Sequence, residues 1–226
     1  TLKYLINKNI TGTPIAASSE VHWNRTKEYY DVSWRGTWEG EGGGVILSHA
    51  IHLHDLLSFI FGDIKSVSAN LATLVNNIET EDSASITMTT ESKALISSSI
   101  TLGAANNTSR LKFIFSNITA ESGDNPYAPG EGKWIFTSRD PVKQNELNEI
   151  INLYQKKITP DQDGFRSFFE EIANHLNGNK FNIIEAYEGL KSIELVAAIY
   201  YSARSETKVF LPLDRRNLVY KDWRPK

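Results

Sequence analysis

Apolar residues recur at helical spacing along one stretch of the chain that is bounded by glycines at both ends. They fill most of residues 45–61, and Gly62 follows immediately. The stretch carries too much apolar surface for a solvent-facing helix, so we predict a largely buried one. Glycines at 42–44 let the backbone approach a neighbour closely, and we expect free N–H groups at the helix N-terminus beyond them.

Alternating apolar and polar positions predict strands through the middle of the chain. The predicted strands cover residues 15–23, 64–74, 84–90, 94–102, 110–115, 117–121 and 133–137. Residues 91–93 link the third of these to the fourth as a hairpin. Such a succession of strands with short links is typical of an antiparallel sheet.

Helical spacing returns in the last third of the chain. The aromatic and aliphatic positions of residues 165–176, which Gly178 follows, predict a helix whose apolar stripe belongs to the core. A second helix passes from Tyr187 to about Arg204, and Asn182 before it resembles a cap. With a short helix at 1–8 and a strand at 209–213, the prediction is an α+β fold. It has a large, mostly antiparallel, open-faced sheet with helices packed on one face.

Polar side chains on the opening turns of the buried helix are the main candidates for chemistry. Three of the five histidines fall within residues 49–54. Ser48 and His52 are four residues apart and therefore share a face. A core role, with the imidazoles bonded to backbone, is the alternative for each histidine. A metal site of a hydrolase, built from His49, His52, His54 and Asp55, is a remote alternative, because these spacings do not place three imidazoles on one helical face.

The segment 24–41 has no periodicity but is rich in aromatic residues, which disfavours disorder and favours a functional loop. Tyr30, Arg35 and Trp38 are candidates to stack on, and hydrogen-bond with, a polyhydroxylated ring. The alternative is that they only pin the loop. Arg25 is a candidate to pair with a carboxylate of a substrate, or is otherwise a solvated surface arginine.

Composition narrows the class of partner. A net charge of −3 with interspersed signs argues against nucleic-acid binding. No apolar run reaches the roughly 18 residues that a membrane helix needs. The absence of cysteine fits a reducing compartment, and we expect a cytoplasmic protein.

An ordered set of short motifs resembles one known family. The motifs are Gly-Thr-Trp at 36–38, three glycines at 42–44, His52, Asp55-Leu56-Leu57, Gly62, and the stretch 198–203 before Leu-Pro-Leu at 211–213. Together they resemble the C-terminal domain of the Gfo/Idh/MocA family of NAD(P)-dependent oxidoreductases. The family motif G-x-x-x-D-x-x-x-H falls on Gly44, Ser48 and His52, so Ser48 replaces the carboxylate. The resemblance implies that His52 is catalytic, as a general acid/base.

The same resemblance implies how the chain is divided between two domains of the full-length protein. Residues 1–13 resemble the end of a linker helix from an N-terminal Rossmann domain, and residues 14–226 resemble the substrate-binding and oligomerisation domain. Ser48 and His49 are then substrate-binding, together with Arg25, Tyr30, Arg35 and Trp38. NAD or NADP is implied for the full-length protein and none for this segment, which lacks the G-x-G-x-x-G spacing and is expected to be inactive alone.

The implied partners are the protein's own Rossmann domain, a sugar or polyol substrate, and a second copy of the chain. We expect a homo-oligomer because a sheet covered on one side leaves an apolar face to bury. A non-catalytic binding or scaffold module of the same fold is the rival interpretation, and Ser48 favours it.

Overall fold

One sheet of eight strands organises the part of the chain that the computed structural model describes, residues 1–157, 165–178 and 185–225. The strands are β1 (Pro14–Asn24), β2 (Ile64–Ala72), β3 (Ser83–Thr90), β4 (Leu95–Thr101), β5 (Gly103–Phe115), β6 (Ile118–Glu121), β7 (Ile135–Ser138) and β8 (Val209–Phe210). Their order is β7-β6-β5-β1-β4-β3-β2-β8. β1 and β4 run parallel, and the other neighbouring pairs run antiparallel. The predicted α+β fold with a mostly antiparallel sheet is confirmed.

The helices are α1 (Leu2–Asn7), α2 (Ile51–Phe61), α3 (Gln144–Gln155), α4 (Phe165–Leu176) and α5 (Ala186–Ser205). Helices α2 and α5 contact each other and the sheet, α2 against β1 and α5 against β2. The rings of Phe113 and Phe115 on β5 lie 5.2 and 5.1 Å from that of Phe61. These three rings belong to the hydrophobic core, which lies between the helices and the sheet. Burying each such ring contributes roughly 1.5–3 kcal/mol to the stability of the fold. No described helix has the length and apolar character needed to span a membrane.

The predicted buried helix at 45–61 is present, but its first turn is unusual. Residues Ile46–Ala50 form one turn of π-helix, and α2 continues from Ile51. The helix ends at Gly62, whose φ of +87° is a conformation that glycine adopts without a Cβ penalty. Single π turns inside helices occur often at functional sites.

The open face of the sheet corrects one expectation. Across β3, β4 and β1 it presents rows of hydroxyl side chains: Thr87 lies opposite Ser97, and Ser97 lies opposite Ser18. The next row carries Ser99 and Glu20. Over these three strands the predicted apolar face is therefore wrong, since Ile86, Ile96 and Ile100, which alternate with these residues, are buried. Leu95, at 62% exposure, is an apolar exception on this face.

Two assignments in the last third also differ from expectation. Helix α4 is present at residues 165–176, but it has no buried residue, and Phe165 and Phe169 are 80% and 62% exposed. Its stripe is therefore not part of the core. Helix α3 and the first half of β5 had no predicted counterpart. Asn182 lies outside the described residues.

Candidate functional site

The backbone of the glycines at 42–44 packs closely against a buried carboxylate. Glu81 is only 5% exposed, and its side chain accepts hydrogen bonds from the backbone N–H groups of Gly44 and Ile46, each at 3.1 Å. The hydroxyl of Tyr200 donates to the same carboxylate at 2.8 Å. A Cβ at residue 44 would overlap the backbone of Glu81, and one at residue 43 would overlap the Tyr200 hydroxyl. The expectation of free N–H groups at the helix start is wrong, because Glu81 occupies them.

Burial sets the electrostatics of this carboxylate. It raises the pKa of Glu81, and the hydrogen bonds from Ile46 and Tyr200 oppose that rise without cancelling it. Burial, and then the charge of Glu81, likewise raises the pKa of Tyr200. The pKa of the neighbouring Asp82 shifts in the opposite direction. Burial raises its pKa, but N–H donors from Leu74, Asn76 and Val75 outweigh burial and leave the pKa below its ordinary value.

Ser48 and His52 share one face of the helix, as predicted, and that face is exposed. With Asp55 and Phe59 they form one exposed stripe, which we call the α2 stripe. Within the described residues the imidazole of His52 has no hydrogen-bond partner, so both ring nitrogens are accessible to a ligand. His52 is therefore not enclosed in the core.

His49 is buried beside the α2 stripe. The Ser48 hydroxyl donates to the carbonyl of Gly44 at 2.8 Å and lies 2.7 Å from Nδ1 of His49. Because the single hydroxyl proton is used on Gly44, Nδ1 of His49 must be the donor in that contact, which leaves Nε2 as an acceptor. Burial, then the charges of Arg25 and Arg35, lowers the pKa of His49 to about 4. The ring is neutral at neutral pH.

Arg25 and Arg35 converge on the ring of Tyr29 next to His49. Their Cζ atoms lie 5.0 and 3.9 Å from the centroid of that ring. Arg25 also lies over Trp23, at 4.7 Å, and the ring of Trp23 meets His49 edge-on at 4.9 Å. Four predicted site residues, Arg25, Arg35, Ser48 and His49, thus come together. We call Arg25, Arg35 and Tyr29 the arginine cluster.

Trp38 and Tyr30 make contacts that hold the loop in place. The indole N–H of Trp38 donates to the carbonyl of Glu79 at 3.1 Å, and its ring lies 5.5 Å from that of Tyr200. Tyr30 meets Tyr29 edge-on at 5.0 Å. Burial, and then the charge of Glu41, raises the pKa of Tyr30. A role in substrate binding for these two residues stays a prediction.

The histidines and Asp55 of the metal-site alternative do not assemble. His54 is 2% exposed and its Nε2 lies 3.1 Å from the hydroxyl of Ser98. Burial lowers its pKa to about 4. Asp55 accepts instead from Ser192 at 2.7 Å. No group of three or more His, Asp or Glu side chains in the described ranges is placed to hold a metal ion.

A cavity of about 690 Å³, which no sequence motif indicated, continues from the end of the α2 stripe. Leu56, Phe59 and Ile60 of α2 form one wall and Asn148 and Ile151 of α3 form the facing one. Phe113 and Trp134, whose rings stack at 6.1 Å, line it as well. Leu56 and Phe59 lie one to two turns beyond His52, so one helix carries the free imidazole and borders the cavity.

Comparison with known proteins identifies the family. The family described as "oxidoreductase family, C-terminal alpha/beta domain" matches residues 3–211. The chain belongs to the Gfo/Idh/MocA oxidoreductases. No match is found among curated protein sequences.

Several solved structures of oxidoreductases are similar to this chain. The WlbA dehydrogenase from Bordetella pertussis, in complex with NADH and UDP-GlcNAcA, is 28% identical with a TM-score of 0.75, over 94% of this chain and 60% of that one. Aldose-aldose oxidoreductase from Caulobacter crescentus, complexed with glycerol, is 17% identical with a TM-score of 0.69, over 93% and 59% of the two chains. The second likeness shows the fold alone. The chain spans about three fifths of each relative.

Proposed function

We propose that this chain is the substrate-binding and oligomerisation domain of an NAD(P)-dependent oxidoreductase that acts on a hydroxyl of a sugar, polyol or sugar derivative. The observation that carries the proposal is the exposed, unpartnered imidazole of His52 on the α2 stripe, in a domain of this family. The WlbA relative, in complex with NADH and a nucleotide sugar, supports the substrate class.

The described residues do not fit a dinucleotide. The one glycine-rich turn before a helix is filled by Glu81, and its N–H groups already donate to that carboxylate. A second negative charge, such as a pyrophosphate, would meet the Glu81 carboxylate there. We therefore assign the cofactor to another domain, with residues 1–13 as the end of the connection to it and residues 14–226 as the domain described here. On this proposal the segment alone transfers no hydride.

The chemistry assigned to this chain is proton transfer. Oxidation of an alcohol to a carbonyl compound removes a proton from oxygen and a hydride from carbon. His52 accepts the oxygen-bound proton, since imidazole is the side chain best suited to proton transfer near neutral pH. Ser48 brings no charge to His52, because a serine hydroxyl is neutral, and that hydroxyl contacts Gly44 and His49.

The partner surfaces follow from the same geometry. The α2 stripe and the cavity beyond it are the surface that we assign to the protein's own Rossmann domain. The open face of the sheet, with its short hydroxyl side chains, is the surface that we assign to a second copy of the chain, because two such faces can approach closely about a twofold axis. We keep the cytoplasmic assignment as part of the proposal.

The test is hydride transfer by the full-length protein. NAD and NADP are each offered with nucleotide-sugar acids, uronic acids and polyols, and reduced nicotinamide is measured. Loss of a general base typically costs 10²–10⁴-fold in rate, so we expect His52→Asn to lower kcat by at least about 100-fold. The matched control is His175→Asn, because His175 is an exposed histidine on α4.

Two results decide between the candidate functions. Unchanged turnover in His52→Asn removes His52 from the mechanism. Binding of a sugar derivative without turnover of any substrate and cofactor pair supports the second candidate, a non-catalytic binding module. Serine in place of the family's carboxylate at residue 48 is the observation that favours this second candidate.

A further inference from the structure

We propose that the arginine cluster is an anion-binding subsite, which selects a sugar derivative bearing a carboxylate or a diphosphate. The inference rests on the proposed function and narrows its substrate class from sugars in general to acidic ones. Its evidence is the placement of Arg25 and Arg35 and the absence of any described counter-charge beside them.

The two guanidinium groups have no carboxylate partner within the described ranges. Three acidic side chains of the same loop have other partners: Glu28 accepts from the Thr26 hydroxyl, Asp31 pairs with Lys27, and Glu41 accepts from the N–H of Gly36. Two half-buried positive charges around one tyrosine ring repel each other, and removal from water is costly without compensation. A bound anion supplies that compensation.

The arginines are also held in place for binding. Arg25 donates through Nη1 to the carbonyl of Asn24 at 2.9 Å, and Arg35 donates through Nη1 to the carbonyl of Tyr29 at 3.3 Å. The ring of Tyr29 supports both groups by cation–π contact. Each guanidinium retains N–H donors without a described partner, and its buried Nε is one of them. A planar fork fixed in this way suits carboxylate or phosphate oxygens.

The subsite lies next to the proposed catalytic face. The ring of Tyr29, which both arginines contact, lies 6.3 Å from that of His49, and Trp23 beneath Arg25 meets His49 edge-on at 4.9 Å. His52 lies about one turn beyond His49 on the same helix. An acidic group held by the arginines would leave the rest of a sugar ring near the α2 stripe. The B. pertussis relative is in complex with UDP-GlcNAcA, which is an anion and supports this class.

The experiment titrates the 226-residue chain by calorimetry with three probes, UDP-glucuronate, UDP-glucose and glucuronate, and with neutral glucose as the reference. Hydrogen bonds to charged groups contribute about 1.5–3 kcal/mol, so we expect Arg25→Gln and Arg35→Gln each to weaken UDP-glucuronate binding by about tenfold or more. Arg25→Lys and Arg35→Lys keep the charge without the fork and should lie between. The control is Arg166→Gln, because Arg166 pairs with Glu170 on α4; it should bind as the wild type does.

The probes separate the two sources of the anion. If the arginine variants bind both UDP compounds more weakly than the wild type does, the subsite binds a diphosphate. If they bind both glucuronate compounds more weakly, the subsite binds a carboxylate. Either result supports the proposal. NMR titration of His49 gives a local readout, since Arg25→Gln and Arg35→Gln should raise its pKa from about 4. This readout shows that a variant is folded and altered at the cluster.

The proposal is overturned if none of the three probes binds more tightly than neutral glucose, or if all four arginine variants bind UDP-glucuronate as the wild type does. These outcomes differ from failure of the proposed function. Hydride transfer to NAD(P) from a neutral polyol, unaffected by Arg25→Gln and Arg35→Gln, would retain the oxidoreductase and remove the anion subsite. Arginine-dependent anion binding without any hydride transfer would retain the subsite and remove the enzyme.

Discussion

Two charged regions border the first turn of the long buried helix, and they are built in opposite ways. On one side Glu81 is enclosed and accepts from two backbone N–H groups and the Tyr200 hydroxyl. On the other side Arg25 and Arg35 are half-buried and lack any described carboxylate partner. Both regions are charged and immobilised, yet only the first is satisfied by the protein itself.

A charge that serves the fold and a charge that serves a ligand differ in whether the protein itself supplies their partners. Removal of a buried charged side chain that has a full set of partners leaves those partners unsatisfied, which costs stability. A fixed charge without partners contributes little to the fold and is available to a ligand. The comparison predicts large effects on stability from Glu81 and small ones from the arginines.

Glu81→Ala is expected to have the largest effect. It removes the acceptor for Gly44, Ile46 and Tyr200 in a buried site. Each buried donor left unsatisfied costs about 1–3 kcal/mol, so we expect a loss of at least about 3 kcal/mol. Denaturant unfolding of the chain measures the loss. Glu79→Ala is the matched control, because Glu79 is an exposed acid two residues earlier that also accepts a backbone hydrogen bond.

Tyr200→Phe sharpens this prediction. It removes one donor to the carboxylate, which should cost about 1–3 kcal/mol, less than loss of the carboxylate itself. A cost for Glu81→Ala no greater than that of Glu79→Ala would contradict the assignment of Glu81 as the anchor of the helix start.

His54 tests the comparison with a third kind of group, buried and only partly satisfied. Its Nε2 contacts Ser98, whereas its Nδ1 is buried without a partner. Its pKa in the folded chain is about 4, below the ordinary 6.5, because burial disfavours the charged ring. Above pH 6.5 the His54 ring is neutral in both the folded and the unfolded chain, so its protonation does not lower the free energy of unfolding. As pH falls towards 4 the unfolded chain gains the proton first, so stability is lost.

The loss due to His54 is about 3 kcal/mol, from roughly 1.4 kcal/mol for each pH unit between the two pKa values. Unfolding free energies measured between pH 7 and pH 4 for the wild type and for His54→Asn isolate this contribution, since His49 and the carboxylates titrate in both. We expect the variant to lose less stability over that range. Parallel curves would show that His54 does not stay neutral in the folded chain.

Local pattern predicted those features whose cause is local. The helix at 45–61 and its stop at Gly62 follow from apolar spacing and from one conformation that glycine adopts freely. The hairpin of β3 and β4 follows from alternation in the two strands. The same alternation indicates a polar open face, since Ser97 and Ser99 occupy outward positions of β4.

The errors concern partners that are distant in sequence. Gly44 meets Glu81, which is 37 residues away, and Glu81 meets Tyr200, which is 119 residues away. No window of local sequence contains such a site. Periodicity likewise showed which side of α4 is apolar, but not that this side lacks a covering element among the described residues. Helix α3 was not predicted, although Leu147, Ile150, Ile151 and Tyr154 recur along it at helical spacing and Leu147 and Ile151 are buried.

Arg35→Gln is expected to have the smallest effect on folding, and with Arg25→Gln it completes the comparison. Each substitution gives up cation–π contacts worth roughly 0.5–1 kcal/mol, and it relieves the repulsion and desolvation of an unpaired charge. We therefore expect the free energy of unfolding to change by less than about 1 kcal/mol, measured by denaturant titration beside Glu81→Ala. A loss as large as that of Glu81→Ala would mean that the arginines support the fold as Glu81 does. In that case the contrast between satisfied and unsatisfied charge would no longer distinguish the two regions.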